Sequence, residues 1–293
     1  MKYIKRNEFI RMIFVPLKIF LLSFESDEHL VHRQFKKSFK RKLNIKNPQT
    51  FNEKLNWIRF NGDHHNWCVC ADKYAVREFV KNQIGERYLI PLLGVYEDVS
   101  QINFERLPKQ FVMKANHGSS WNIICLDKNR LNKKKVCRKL DEYLNSNYYL
   151  LNREIQYKDI VPKIICEEFI GDNGNIPEDY KIFCFHGVPR FIQVDESRQT
   201  KHVRVLYDIN WNLLPLEYGY PKGEIRPRPE TLDEMLGIAE RLSKDELFVR
   251  VDLYSINHKV YFGEMTFTPG NAIEKFVPNN YDYEWGELIK LPL

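Results

Sequence analysis

The chain has 293 residues, of which 43% are hydrophobic, 14% aromatic and 29% charged, with only 13 glycines and 14 prolines. That composition excludes disordered, collagen-like and low-complexity classes, and the length leaves room for about two cores. A formal charge of +6 favours anionic partners, but Lys36, Lys37, Lys40, Arg41, Lys42 and Lys46 come without any RNA-binding, zinc-finger or helix-turn-helix pattern, so no nucleic-acid partner is expected.

Residues 1–44 form a basic and apolar opening segment. Ile10 to Phe24 is apolar but short, and Arg11, Pro16 and Lys18 interrupt it, so it cannot span a bilayer. No small-residue cleavage site follows. A helix docked on the core and a helix lying on an anionic membrane surface both remain open. The second is raised by the interleaving of Lys2, Lys5, Arg6, Arg11 and Lys18 with large apolar residues.

Residues 45–110 read mostly as helices. Apolar residues recur at three- and four-residue spacing in Phe51 to Ile58, capped by Thr50 with Glu53, and in Tyr74 to Val80, preceded by Asp72. Tyr88 to Tyr96 reads as extended, and Pro91 makes it an edge or a turn. Between these, His64, His65, Cys68 and Cys70 have zinc-ligand chemistry but no standard zinc spacing, and packing is the expected role.

From Phe111 the texture changes to short strands with glycine turns. Strands are expected at Phe111 to Ala115, Lys163 to Ile170, Tyr180 to Phe185, Pro189 to Val194, Phe248 to Tyr254 and Val260 to Phe267, with helices around Lys133 to Leu151 and Leu232 to Leu242. Ser197 to Pro229 is rich in Arg, Pro and Gly and reads as loops over a site. The class is α+β with mostly antiparallel strands. The six cysteines are scattered, several of them inside apolar runs, and are expected to be free thiols of a reducing compartment.

Two alternating runs flank a polar turn at His258. If pairing is symmetric about that residue, Asp252 faces Glu264 and Arg250 faces Thr266. Two carboxylates roughly 5 Å apart repel unless a cation lies between them, and hard oxygen ligands make Mg²⁺ the natural ion. The alternative is a solvated face relaxed by Arg250. Phe111 to Lys114 is a strand that ends in lysine and runs into His117-Gly118-Ser119-Ser120, a loop whose backbone N–H groups can approach phosphate; alone, it could equally be an ordinary turn. Glu167-Glu168-Phe169-Ile170 and Asp179-Tyr180-Lys181 place charge at strand ends, where a partner or ligand is needed.

Taken in order, these segments resemble the ATP-grasp superfamily, and more closely the TupA-like ATP-grasp family associated with teichuronopeptide and other surface-polysaccharide synthesis. The resemblance covers about residues 45 to 275. It is carried by Thr50 to Leu55, Asp72 to Arg77, Leu107 to Lys114, Asp179 to Lys181 and Glu264-Met265-Thr266-Phe267-Thr268-Pro269-Gly270. It implies an ATP-grasp fold with a helical subdomain (45–110), a lid subdomain with the glycine loop (111–168) and an antiparallel catalytic subdomain (169–293). It also implies ATP and Mg²⁺ as cofactors.

The roles it implies are phosphate contact by Lys73, Lys114 and the loop His117 to Ser120, and adenine reading by the hinge Glu167, Glu168, Phe169 and Ile170. Asp179 would meet ribose, Lys181 phosphate and Arg250 the transferring phosphoryl group, with Asp252 and Glu264 as metal carboxylates. Thr266 stands where many relatives have Asn, and its hydroxyl is expected to serve the metal.

The expected reaction joins a carboxylate, as acyl phosphate, to an amino acid or other amine. An acidic sugar or polysaccharide precursor is the expected acceptor, at the cytoplasmic side of the membrane. A glycosyltransferase and a non-catalytic nucleotide-binding scaffold are the alternatives. Asp252-Leu253-Tyr254 does not supply the DxD-like motif that the first would need.

Overall fold

The computed structural model describes residues 24–171, 177–196 and 202–292. The expectations on residues 1–23 therefore lie outside the described residues.

Helix α1 (Asp27–Phe39) buries Leu30, Val31 and Phe35 and leaves its lysines exposed. Helix α2 (Phe51–Asn61) opens with the capping box expected from sequence: the Thr50 hydroxyl accepts from Glu53 N–H, and Glu53 accepts from Thr50 N–H. Helices α3 (Trp67–Ala71) and α4 (Val76–Ile84) follow. α4 begins two residues later than the periodicity suggests, because the Asp72 carboxylate accepts from Tyr74 N–H and Ala75 N–H and holds a turn there.

Strands β1 (Leu92–Tyr96), β2 (Phe111–Ala115), β3 (Asn122–Cys125) and β4 (Ile164–Glu168) form an antiparallel sheet in the order β1-β4-β2-β3. β1 is an edge strand, as Pro91 implied, so this sheet draws on residues upstream of 111. Helix α5 (Lys133–Leu144) covers the sheet, burying Val136 and Leu140 beside Phe111, Met113 and Cys166. The helical stretch expected to reach Leu151 breaks after Leu144 and resumes only as α6 (Tyr149–Asn152).

The second sheet contains β5 (Asp179–Phe185), β6 (Val188–Glu196), β7 (Val203–Asp208), β9 (Phe248–Ile256) and β10 (Lys259–Thr266), in the order β10-β9-β5-β6-β7; β8 (Glu217–Tyr218) lies apart from it. β7 and β8 correct the reading of 197–229 as loops alone. Arg204 interrupts the apolar alternation of β7, and it is tolerated because Asp195 on the neighbouring strand accepts its Nε at 2.8 Å.

Alternation with period two gives this sheet two unlike faces. Tyr180, Ile182, Cys184, Val249, Val251 and Leu253 share a core with Leu232, Met235, Ile238 and Leu242 of α7 (Leu232–Ser243). On the other face Phe183 and Phe185 pack against Phe51 and Trp285 at one end, while Asp179, Lys181, Arg250 and Asp252 gather at the other. Strand β11 (Phe276–Val277) leads to helix α8 (Asn280–Glu287), whose Asp282 accepts from Asn52 N–H at 3.0 Å and fastens the end of the chain onto α2. Helices α2 to α4, the five-stranded sheet, α7 and α8 thus share one core, and the four-stranded sheet with α5 has its own.

Candidate active site

The β9–β10 hairpin brings Asp252 and Glu264 together, by a route other than simple symmetry. Its turn is the two-residue pair Asn257-His258, both at positive φ, and from there Lys259 pairs with Ile256 and Phe262 with Leu253. An irregularity at Gly263 then shifts the register by one, so that Glu264 faces Asp252 and Thr266 faces Arg250. Glycine is required at that point. A Cβ on Gly263 would meet the Asp252 carbonyl oxygen at 2.9 Å.

Asp252 is 1% exposed and lies between two cations. Arg250 grips it with two hydrogen bonds, Nε to Oδ1 at 2.6 Å and Nη2 to Oδ2 at 2.7 Å. Lys181 donates to Asp252 Oδ2 and, at 2.7 Å, to Asp179 Oδ2. Burial disfavours ionising Asp252, and Arg250 and Lys181 oppose that effect. Arg250, also buried, is held above its ordinary value by Asp252. Arg250 Nη2 further donates to Thr266 Oγ1 at 3.1 Å and lies 3.7 Å from Glu264 Oε1, and the Thr266 hydroxyl donates to Glu264 at 3.3 Å.

Across from this face stands the loop between β2 and β3. Lys73 Nζ donates to the Gly118 carbonyl at 2.7 Å, and burial pushes its ammonium below the ordinary lysine value. Lys114 Nζ donates to Glu167 Oε2 at 2.7 Å, while Arg77, a residue the sequence did not single out for this site, donates to Glu167 Oε1 at 2.9 Å. The charge at the end of β4 thus has the partners its burial demands. Ser120 sits at positive φ, turning the loop back so that Trp121 O accepts from Ala115 N–H at 2.9 Å.

A cleft of about 580 Å³, counting its open mouth, separates the two sheets. Lys73, Lys114, Ser119, Ser120, Asp179, Asp252 and Glu264 line it, together with Trp121 and Asn122 of the same loop and with Tyr254 and Gly263, which sequence reasoning did not name for the site. A smaller recess of about 280 Å³ adjoins it through Lys73, Lys114 and Gly263 and is floored by Leu89, Ile90, Ile165 and Phe262 beside Glu167.

The remaining candidates sit farther out. Lys181, Arg250 and Thr266 lie in the polar network under the cleft. The Gly118 carbonyl is held by Lys73, and the His117 ring is buried behind the loop. Glu168 is exposed, and Phe169 and Ile170 are half-buried where β4 leaves the sheet. His64, the zinc false lead, is bonded to the Ile58 carbonyl at 2.9 Å, and burial pushes the Cys70 thiol up to about 12.

The donor set fits a divalent cation of the magnesium type. It offers two carboxylates at paired positions and a hydroxyl beside an open, lysine-lined cleft. Both oxygens of Asp252 are engaged by Arg250 and Lys181, so an ion held there would displace at least one of these contacts.

The TupA-like ATPgrasp family profile matches residues 53–290. No match is found among curated proteins. Among solved structures the chain is similar to D-alanine–D-alanine ligase from Bacillus anthracis complexed with ATP, at 15% identity over 75% of this chain and 63% of that one, with a TM-score of 0.42. It is also similar to an L-amino acid ligase from Bacillus licheniformis, at 15% identity over 85% and 57% of the two chains, with a TM-score of 0.47. D-Alanine-D-alanine ligase from Helicobacter pylori gives 16%, 75%, 59% and 0.39 in the same order. The chain spans less than two thirds of each of these structures. With two sheets closing on a lysine- and carboxylate-lined cleft and a profile match over most of its length, the chain belongs to the TupA-like ATP-grasp family and has its α+β fold.

Proposed function

We propose that the chain is an ATP-dependent carboxylate–amine ligase that works through an acyl phosphate. The observation that carries this reading is the convergence of Lys114 and the Ser119-Ser120 loop from one sheet, of Asp179, Asp252 and Glu264 from the other, and of Lys73 from the turn between α3 and α4, on a single cleft. Phosphoryl transfer asks a protein mainly to position groups and offset charge, and both lysines face the acidic row across the cleft.

In this reading the adenine lies toward Glu167 and the hinge residues Glu168, Phe169 and Ile170, an assignment that rests on the family resemblance. The backbone N–H groups of Ser119 and Ser120 receive phosphate oxygens together with Lys73 and Lys114, and Asp179 meets the ribose. Asp252 and Glu264, aided by the Thr266 hydroxyl, would hold Mg²⁺, which when bound neutralises phosphate charge. Lys181 and Arg250 are held at the row by Asp252, ready to steady the phosphoryl group as the substrate carboxylate bonds to the γ-phosphorus and the bond to the bridging oxygen breaks, releasing ADP. The loop of residues 116–122 closes the cleft against water, which would otherwise hydrolyse that intermediate.

The acceptor is taken to be an acidic sugar or polysaccharide precursor, on the strength of the family alone, and the nucleophile an amino acid or related amine. A cytoplasmic location, with residues 1–24 in contact with an anionic membrane, belongs to the same proposal. Among the described residues no helix is long and apolar enough to cross a membrane. Loss of sedimentation with anionic vesicles on deleting residues 1–24 would support the membrane contact, and unchanged sedimentation would remove it.

The test of activity is ADP release from ATP and Mg²⁺ with pooled uronic acids and amino acids. Release that depends on both an acid and an amine is the expected result. UDP release from a nucleotide sugar would instead mean a glycosyltransferase, and no turnover of either kind a nucleotide-binding scaffold.

A further inference from the structure

His117 stands at the base of the nucleotide loop, 3% exposed, and both of its ring nitrogens face oxygen. Nε2 lies 3.1 Å from the Tyr143 carbonyl and 3.3 Å from that of Ser146, and Nδ1 lies 3.1 Å from Asn116 Oδ1. The Asn116 amide cannot be turned to present a donor instead. Its Nδ2 donates to Asp72 Oδ1 and to the Val161 carbonyl, both at 3.0 Å, and its Oδ1 accepts from Lys163 N–H at 2.7 Å. A neutral imidazole carries one N–H, so one nitrogen lone pair must point at oxygen; an imidazolium satisfies both sides.

The setting beyond these bonds also favours a cation. The Tyr143 and Ser146 carbonyls lie at the C-terminal end of α5, where the helix dipole is negative. The Asp72 carboxylate is also nearby. Against protonation stand burial, which holds the imidazole below its ordinary value, and the Lys73 ammonium. Lys73 lines the cleft proposed for the triphosphate, so an anion there would cancel the repulsion it exerts on His117.

We propose that His117 is a positioning residue that takes up a proton when nucleotide phosphates enter the cleft, and that as imidazolium it adds an Nδ1–H donor to Asn116 to the hold of Nε2 on the end of α5, fastening the loop of residues 116–122 at both ring nitrogens. This inference rests on the nucleotide reading of the cleft. By its sign, a group that binds its proton more tightly in the complex makes nucleotide affinity strongest at low pH. Affinity then weakens as pH rises through the imidazole's value in the complex, by up to about tenfold per unit of the change that binding causes.

The experiment is calorimetric titration of the full chain with a non-hydrolysable Mg-ATP analogue in buffers of different ionisation enthalpy, between about pH 6 and about pH 8. It is repeated on His117→Asn, whose amide can still donate to the helix carbonyls but cannot titrate. The wild type should take up as much as about one proton more than the variant, and its affinity should fall more steeply with pH. Nuclear magnetic resonance of the His117 ring, with and without the analogue, gives a second readout in the native chain and should show protonation shifting upward. Nucleotide binding with equal proton uptake in both proteins, or an unshifted ring titration, would overturn the role of His117 alone. An absence of nucleotide binding by the wild type would overturn the ligase reading and this inference with it.

Discussion

Asp252 and Glu264 face each other across one hairpin, but they are held in different ways, so their removal should have different consequences. Asp252 is buried and neutralises two cations, whereas Glu264 is half-buried and touches Arg250 only at 3.7 Å. Glu264→Gln is expected to lower ADP formation by roughly 10²–10³ or more while the melting temperature stays close to that of the wild type. Asp252→Asn should lose activity to at least that extent and also destabilise the fold by about 3–5 kcal/mol, because it leaves Arg250 and Lys181 buried without their full counter-charge. Rate measurements paired with thermal melts of both variants separate these outcomes; equal stability in the two would contradict the buried ion triad. The carboxylate pair was legible in the sequence because its two strands and their polar turn lie within one short stretch of chain, although the turn is not centred on His258. The grip of Arg77 on Glu167 was not, since it joins positions 90 apart that only the fold brings together.

At the scale of the element, the hairpin shows how a correct contact can arise through a route the sequence does not reveal. A turn at Asn257-His258 alone would place Asp252 one residue out of step with Glu264, and the irregularity at Gly263 restores the pairing. Gly263→Ala should force the Asp252 backbone away from the added methyl, destabilising the protein by about 1–3 kcal/mol and lowering activity further than that loss alone explains. A denaturant melt together with an activity assay on the folded variant would check this, and wild-type values in both would refute it. The capping box at Thr50 was readable because its signal spans four residues. Strand β7 was missed because Arg204 breaks its apolar pattern, and the partners that make Arg204 affordable there, Asp195 and Glu274, come from other elements.

For the whole molecule, the α+β class and the change of texture near residue 111 could be read from periodicity. The sharing of one core by the N-terminal helices and the C-terminal sheet could not, because the contacts that join them are far apart in the chain. Asp282 on α8 accepts from both the backbone and the side-chain amide of Asn52, and Gly286 passes so close to the start of α2 that a Cβ there would collide with the Gln49 carbonyl oxygen. Asp282→Ala should therefore cost about 1–3 kcal/mol by leaving buried Asn52 donors without an acceptor, and hydrogen exchange should speed up in α2 as well as in α8. Faster exchange confined to α8 would show that the end of the chain does not secure α2.

The cleft draws on both sheets, so the central claim is that it binds the phosphates of a magnesium-bound nucleotide between Lys73 and Lys114 on one side and Asp252 and Glu264 on the other. Calorimetric titration with a non-hydrolysable ATP analogue, with and without Mg²⁺, tests this most directly. Saturable heat that depends on Mg²⁺ in the wild type and is weakened in Glu264→Gln is the expected result. No heat, or the same heat without Mg²⁺ and in the variant, would contradict it.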